Sequence, residues 1–121
     1  MRRPERAAKK SDWNLLDMPE KRSSFCMALD LSEEDLDALK LGFVPLGMDD
    51  RWFSYWDEDH LYVHRSWSGI CIYILDFSHG VDDVEVTVNR DEEQYAVTDD
   101  AEDMRYLPEI LDILLHGPER Y

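Results

Sequence analysis

A His64-Arg65-Ser66 run lies inside an aromatic stretch of the chain, WFSYWDEDHLYVHRSWSGICIYIL, from Trp52 to Leu75. A histidine beside a serine can activate the hydroxyl as a nucleophile when a carboxylate orients the imidazole. In a strand, however, His64 and Ser66 point to one face and Arg65 to the other. The acids that could orient His64 lie in predicted loops, at Asp57, Asp59 and Asp76. We therefore expect no catalytic set.

The residue types of this stretch suit binding better than catalysis. Tyrosine and histidine rings can stack on a base or on a partner's side chains, and an arginine at the rim can pair with a phosphate or an acidic group. The candidate binding residues are Tyr55, Tyr62, His64, Arg65, Ser66, Trp67 and Tyr73. Three of them have a structural alternative: His64 bonded within an aromatic layer, Arg65 paired with a buried carboxylate, and Trp67 folded over the sheet edge.

No residue spacing indicates a metal or a cofactor. The four histidines are scattered, and the acidic run 57–60 lacks the glycine and the terminal glutamate of a calcium-binding EF-hand loop. A phosphate-cradling glycine loop, a dinucleotide-binding fingerprint and a nucleophile elbow are all missing from the sequence. We expect neither a metal nor a cofactor.

The aromatic stretch predicts three strands and two hairpins, because it is rich in aromatic and β-branched residues with two polar interruptions. We place the strands at 52–56, 61–65 and 70–75, joined by four-residue loops, with Trp56 opposite Leu61. Alternation then gives one aliphatic face for helices. The other face would carry Phe53, Tyr55, Tyr62, His64, Ser66, Cys71, Tyr73 and Leu75. A slip of one residue in either hairpin would exchange the two faces.

Two helices should flank the strands. Ser32, followed by three acids, predicts a helix that reaches about Lys40 and ends near Gly42. A second helix should begin after the capping pattern at 98–100. Inside that helix Pro108 predicts a kink or a division in two, because an interior proline costs about 3 kcal/mol.

Further strands complete the predicted sheet. Valines alternate with polar residues from Val84 to Val88, and Gln94 to Val97 is expected to form a short fifth strand. The run from Phe25 to Leu31 fits either a strand or the approach to a helix. The fold class predicted is α+β, an antiparallel β-meander of four or five strands with helices packed mainly on one face.

Length and charge limit the classes of function. At 121 residues the chain fits a single domain at 13–121, preceded by a flexible basic tail at 1–12. Asp and Glu outnumber Lys and Arg by 28 to 13, a net charge of −15, so direct binding to nucleic acid is not expected. The chain has two cysteines, no apolar run long enough to span a bilayer and no signal peptide. These features predict a cytoplasmic protein.

The pattern Trp52-Phe53, Tyr55, Leu61-Tyr62, His64-Arg65-Ser66-Trp67, Gly69 and Ile72-Tyr73 resembles a motif of small uncharacterised bacterial domains. Some of those domains are attached to ADP-ribosylglycohydrolase-like proteins. The resemblance covers about residues 45 to 77, roughly a quarter of the chain. It implies a self-contained α+β module accessory to nucleotide or ADP-ribose metabolism and carries no activity with it.

We predict a small binding or interaction module that uses an aromatic sheet face to contact a protein partner, a second copy of the chain or a nucleotide-like ligand. An alternative is an enzyme that acts on a nucleotide or ADP-ribosyl group through His64 and Arg65. A further alternative is an inhibitor whose acidic side chains imitate a phosphate backbone. That inhibitor would need one row of carboxylates drawn from Asp82, Asp83, Asp91, Glu92, Glu93, Asp99, Asp100 and Asp103.

Overall fold

The computed structural model describes residues 7–45 and 50–116. Its elements in chain order are β1 (Arg22–Met27), α1 (Glu33–Leu41), β2 (Trp52–Asp57), β3 (His60–Arg65), β4 (Cys71–Asp76), β5 (Val84–Asn89) and α2 (Asp100–His116). A short 3-10 turn at Lys10–Asp12 precedes them. The predicted α+β fold is confirmed, with two helices packed against one antiparallel sheet.

The five strands are ordered β1-β5-β4-β3-β2, and every neighbouring pair is antiparallel. The last four strands form the predicted meander. The expected strand at Gln94 to Val97 is wrong, since these residues are a turn and a connector in the structure. The fifth strand is β1 instead, which returns from the start of the chain to pair with β5.

The hairpin between β2 and β3 has the predicted register but a shorter loop. Trp56 pairs with Leu61, as expected, and Tyr55 pairs with Tyr62. The loop contains only Glu58 and Asp59, with φ of 47° and 64°, whereas four residues were predicted. Two consecutive positive φ values are typical of the tight turn whose twist matches that of paired strands.

A bulge between β3 and β4 changes which side chains share a face. His64 pairs with Cys71, yet Val63 pairs with Tyr73, so Ile72 is an extra residue in β4. Beyond the bulge the alternation of β4 is inverted. The prediction that Tyr73 and Leu75 share a face with His64 is therefore wrong, and both side chains lie in the core beneath the helices.

Both helices begin where the sequence predicts. The Ser32 hydroxyl accepts a hydrogen bond from the Asp35 N–H at 3.1 Å, and the Asp35 carboxylate accepts one from the Ser32 N–H at 3.0 Å. Gly42, with φ of 83°, ends α1. The second helix is one continuous element across Pro108, not two, and Pro108 lies on its exposed side.

Two apolar cores lie on opposite faces of the sheet. The larger one contains the apolar sides of α1 and α2 and the face of the sheet that carries Leu61, Val63, Tyr73 and Leu75, which we call the helix face. The smaller core is built on the opposite face. We call that side the aromatic face and define it by Phe53, Tyr55, Tyr62 and His64.

Candidate functional site

The aromatic face is a row of stacked rings. The rings of Tyr55 and Tyr62 are nearly parallel, with centroids 4.7 Å apart, and the Tyr55 ring lies 5.9 Å from that of His64. Phe53 continues the row at 6.1 Å from Tyr55. Alternation along two paired strands brings these four side chains together, as the sequence predicted for them.

The aromatic face is covered by the chain's own N-terminal segment, residues 7–16. Ala8 is buried, and its N–H donates to the Leu41 carbonyl at 2.8 Å. The Trp13 ring stacks on Phe53 at 5.8 Å. Residues 7 to 12 of the expected flexible tail are thus packed on the sheet, while residues 1 to 6 lie outside the described residues. The rings of Phe53 and Tyr55 are closed to a large partner.

Two glycines let the N-terminal segment approach the sheet closely. A Cβ on Gly69, whose φ is 75°, would overlap the Asn14 carbonyl oxygen and lie 3.1 Å from the Leu15 Cα. A Cβ on Gly42 would lie 2.7 Å from the Ala8 Cβ. Side chains at these two positions would push the segment away from the sheet, which is why both contacts require glycine.

His64 is buried as a neutral imidazole. Its Nδ1 donates to the Gly69 carbonyl at 2.9 Å, which leaves Nε2 as the unprotonated nitrogen. Within the described part of the chain Nε2 has no hydrogen-bond partner. Burial lowers the pKa of His64 below its usual value, only partly opposed by the bond to Gly69. The predicted alternative, a histidine held within an aromatic layer by a backbone carbonyl, fits this geometry.

The possible nucleophiles beside His64 are inactive in this arrangement. The Ser66 hydroxyl donates to the Asp50 carbonyl at 2.7 Å, so its proton is directed away from the imidazole. Cys71 pairs with His64 across the strands, but burial raises the pKa of its thiol to about 12. A protonated thiol is a poor nucleophile. The residues around His64 therefore do not form a nucleophile and base pair.

Tyr73 belongs to a buried polar cluster on the helix face. Its hydroxyl and that of Tyr95 both donate to Asp103 Oδ1 at 2.7 Å, and Asp103 is fully buried. Arg90 Nη2 lies 2.6 Å from Asp103 Oδ2, an ion pair without hydrogen-bond alignment, and 2.5 Å from Asp100 Oδ1. Burial, followed by the bond to Asp103, raises the pKa of Tyr73. This cluster ties the first turns of α2 to β4 and β5.

Arg65 is separated from His64 as expected. It points to the helix face, where its guanidinium lies over the Trp52 ring at 5.0 Å from the centroid. Such a cation–π contact holds the arginine in place at the rim of the sheet. His64 and Arg65 cannot approach one reacting group together, because the sheet separates them.

Trp67 is the most exposed large apolar side chain among the described residues, at 69 % exposure. It lies in the turn between β3 and β4, beside an open cleft of about 610 Å³. One wall of the cleft is residues 11–14 and the other is residues 66–68. The Trp13 indole N–H donates to the Ser66 carbonyl at 2.7 Å and fixes the distance between the walls. We call this region the Trp67 surface and include Leu16 in it, which is 50 % exposed and bonded through its N–H to the Gly69 carbonyl.

Sequence reasoning missed three residues that matter here. Asp103 precedes the apolar residues Leu107 and Leu111 at helical spacing, so it lies on the apolar side of α2. That spacing could have predicted that Asp103 is buried. Trp13 and Leu16 carried no such signal, since their contacts are with residues forty or more positions away.

The described residues contain no group of three or more histidine, cysteine or acidic side chains that could hold a metal ion. No helix within 7–45 and 50–116 has the length and apolar character needed to cross a membrane. Comparison with protein-family models, with curated proteins and with solved structures finds no significant match to this chain.

Proposed function

We propose that this chain is a non-catalytic binding module that engages a protein partner through the Trp67 surface. The observation that carries the proposal is an indole exposed at 69 % on the rim of an open cleft. A large aromatic ring that contributes little to its own fold contributes most when a partner covers it. Leu16, whose N–H bonds to the Gly69 carbonyl in the same turn, is a second exposed apolar side chain in this surface.

The walls of the cleft have the composition of an interface rim. Hydroxyl and amide residues line the cleft together with Trp67, namely Ser11, Asn14, Ser66 and Ser68. An apolar anchor within a polar rim is the usual anatomy of a protein–protein contact. The surface fits a short polypeptide segment that inserts an apolar side chain against Trp67 and bonds to the rim.

The charges favour a neutral or basic segment over a nucleotide. Of the described residues that line the cleft, Asp12 is the charged one and none is a lysine or an arginine. A phosphate group would lack a cationic partner there. The net charge of −15 also repels phosphates and a second copy of the chain. A basic partner would be attracted by the same field.

Other readings have less support. His64 is buried and neutral, and Arg65 is on the opposite face, which weighs against an enzyme that uses both. Of the acids that could form the phosphate-imitating row, Asp103 is fully buried and Asp100 is paired with Arg90. The resemblance to domains attached to ADP-ribosylglycohydrolase-like proteins stays a prediction. The two unpaired cysteines support the proposed cytoplasmic location.

The test is a peptide-display selection on the full chain, followed by affinity measurements with the selected peptides. Trp67→Ala should weaken binding by about 30-fold, as expected for the loss of about 2 kcal/mol at an interface anchor. The matched control is Tyr106→Ala, which removes a 46 % exposed ring from α2 on the other side of the sheet and should leave affinity unchanged.

Two outcomes contradict the proposal. Selected peptides that bind Trp67→Ala as tightly as the parent chain would remove the Trp67 surface from consideration. If ADP-ribose or ATP raises the melting temperature of the chain and none of the selected peptides does, the result favours the nucleotide-like ligand instead.

A further inference from the structure

The two edges of the sheet differ in what covers them. At the β2 edge, Phe43 and Ser54 exchange two backbone hydrogen bonds, of 3.1 and 3.0 Å, so the chain itself occupies the middle of that edge. At the β1 edge, the described residues provide no strand or bridge beyond β1. An uncovered edge strand presents backbone donors and acceptors to any extended chain.

The register identifies the groups that β1 presents. The Arg90 N–H donates to the Lys21 carbonyl at 2.8 Å, so the polar backbone groups of residue 21 point toward β5. Because these groups alternate in direction along an antiparallel strand, those of Ser23, Phe25 and Met27 also point toward β5. The N–H and C=O groups of Arg22, Ser24 and Cys26 therefore point outward. No backbone hydrogen bond to them is found within 7–45 and 50–116.

The side chains of β1 leave space for an added strand. On the helix side Phe25 and Met27 are only half-buried at the margin of the larger core. On the other side Arg22, Ser24 and Cys26 are exposed. Every second side chain of an added strand would lie on the helix side and cover Phe25 and Met27. The side chains between them would point to solvent.

Carboxylates lie near the Cys26 end of β1, and Arg22 lies at its other end. Glu85 pairs with Cys26 across the strands. Burial, followed by the nearby charges of Asp83 and Glu85, raises the pKa of the Cys26 thiol. On the helix side the Asp100 carboxylate accepts a hydrogen bond from the Ser23 hydroxyl at 3.2 Å. Basic side chains on the solvent side of an added strand would meet the carboxylates near Cys26, whereas Asp100 on the helix side is already paired with Arg90. A second copy of this chain would bring a further −15 to the same place.

We propose that the outer edge of β1 accepts an extended basic polypeptide as a sixth, added strand. Backbone hydrogen bonds to Arg22, Ser24 and Cys26 hold the segment, and alternating apolar and basic side chains match the two sides of the edge. This inference does not depend on the Trp67 surface, because it uses the outward backbone groups of β1, whereas the Trp67 surface lies at the β3–β4 turn.

The experiment uses the full chain and an eight-residue peptide of alternating lysine and valine with blocked ends. Peptide binding should slow hydrogen exchange of the Ser24 and Cys26 amides, measured by NMR. Ser24→Pro removes one outward N–H and no bond to β5, a position where an edge strand tolerates proline. It should weaken binding at least tenfold, while the matched Ser24→Ala stays within twofold. The Trp67→Ala variant should bind this peptide like the parent chain.

A second peptide keeps the test valid if Ser24→Pro does not fold. In this peptide, which has the same sequence, every second residue, on the side that meets β1, carries an N-methyl group and so lacks the N–H that would bond to β1. Its affinity for the parent chain should be at least tenfold lower. Equal binding of both peptides, or no binding at millimolar concentration, overturns the proposal. A dimer that forms without peptide and is lost in Ser24→Pro would assign the edge to a second copy and likewise overturn it.

Discussion

Arg90 is the residue whose removal should destabilise the fold most clearly. Its guanidinium is 14 % exposed and contacts the fully buried Asp103 carboxylate at 2.6 Å. The same side chain bonds to the Val97 carbonyl at 3.1 Å and pairs with Asp100. Arg90→Met keeps much of the apolar stem and removes the charge. Asp103 is then a buried carboxylate without a cation.

The expected loss in free energy of unfolding is about 3 kcal/mol, near the lower end of the range for a buried pair that loses one partner. The lower end applies because the hydroxyls of Tyr73 and Tyr95 still donate to Asp103. For a chain of this size, that loss lowers the melting temperature by roughly 10 °C. Urea unfolding followed by tryptophan fluorescence measures it directly.

A double-mutant cycle separates the charge from the packing. Asp103→Asn should destabilise the parent chain, whereas in the Arg90→Met background it should be neutral or stabilising, because the unpaired charge is removed. The control Asp100→Asn removes a carboxylate whose side chain is 40 % exposed, and should cost less than about 1 kcal/mol. The reasoning fails if Arg90→Met costs under about 1 kcal/mol, or if Asp103→Asn costs the same in both backgrounds.

Two further predictions concern His64 and Pro108. Burial lowers the pKa of folded His64 below its ordinary 6.5. The stability that depends on the neutral imidazole is therefore complete above pH 6.5 and is lost as the pH falls from 6.5 through the lower folded pKa. Unfolding free energies between about pH 7.5 and 5.5 should therefore fall more steeply for the parent chain than for His64→Gln, and equal slopes would contradict the assignment. Pro108→Ala restores a backbone donor for the Met104 carbonyl within α2 and should stabilise the chain by about 1–2 kcal/mol, less than the full proline penalty because proline also restricts the unfolded chain. A loss of stability in urea unfolding would show that α2 needs the proline.

The elements with local signals were predictable. The cap at Ser32 and the stop at Gly42 depend on residues within one or two helical turns. The pairing of Trp56 with Leu61 follows from two adjacent aromatic runs and a short loop between them. Phe53, Tyr55, Tyr62 and His64 then share a face because strand alternation has a fixed period.

The positions that only the tertiary structure decided depend on distant partners. The bulge at Ile72 allows Tyr73 to reach Asp103 on α2, and no local pattern in β4 records that requirement. The pairing of β1 with β5 and the packing of Trp13 on Phe53 join residues about 40 to 67 positions apart. Sequence periodicity reports which side of an element is apolar, but the choice between apolar partners is made by the packing of the whole chain. That packing closed most of the aromatic face and left Trp67 outside it.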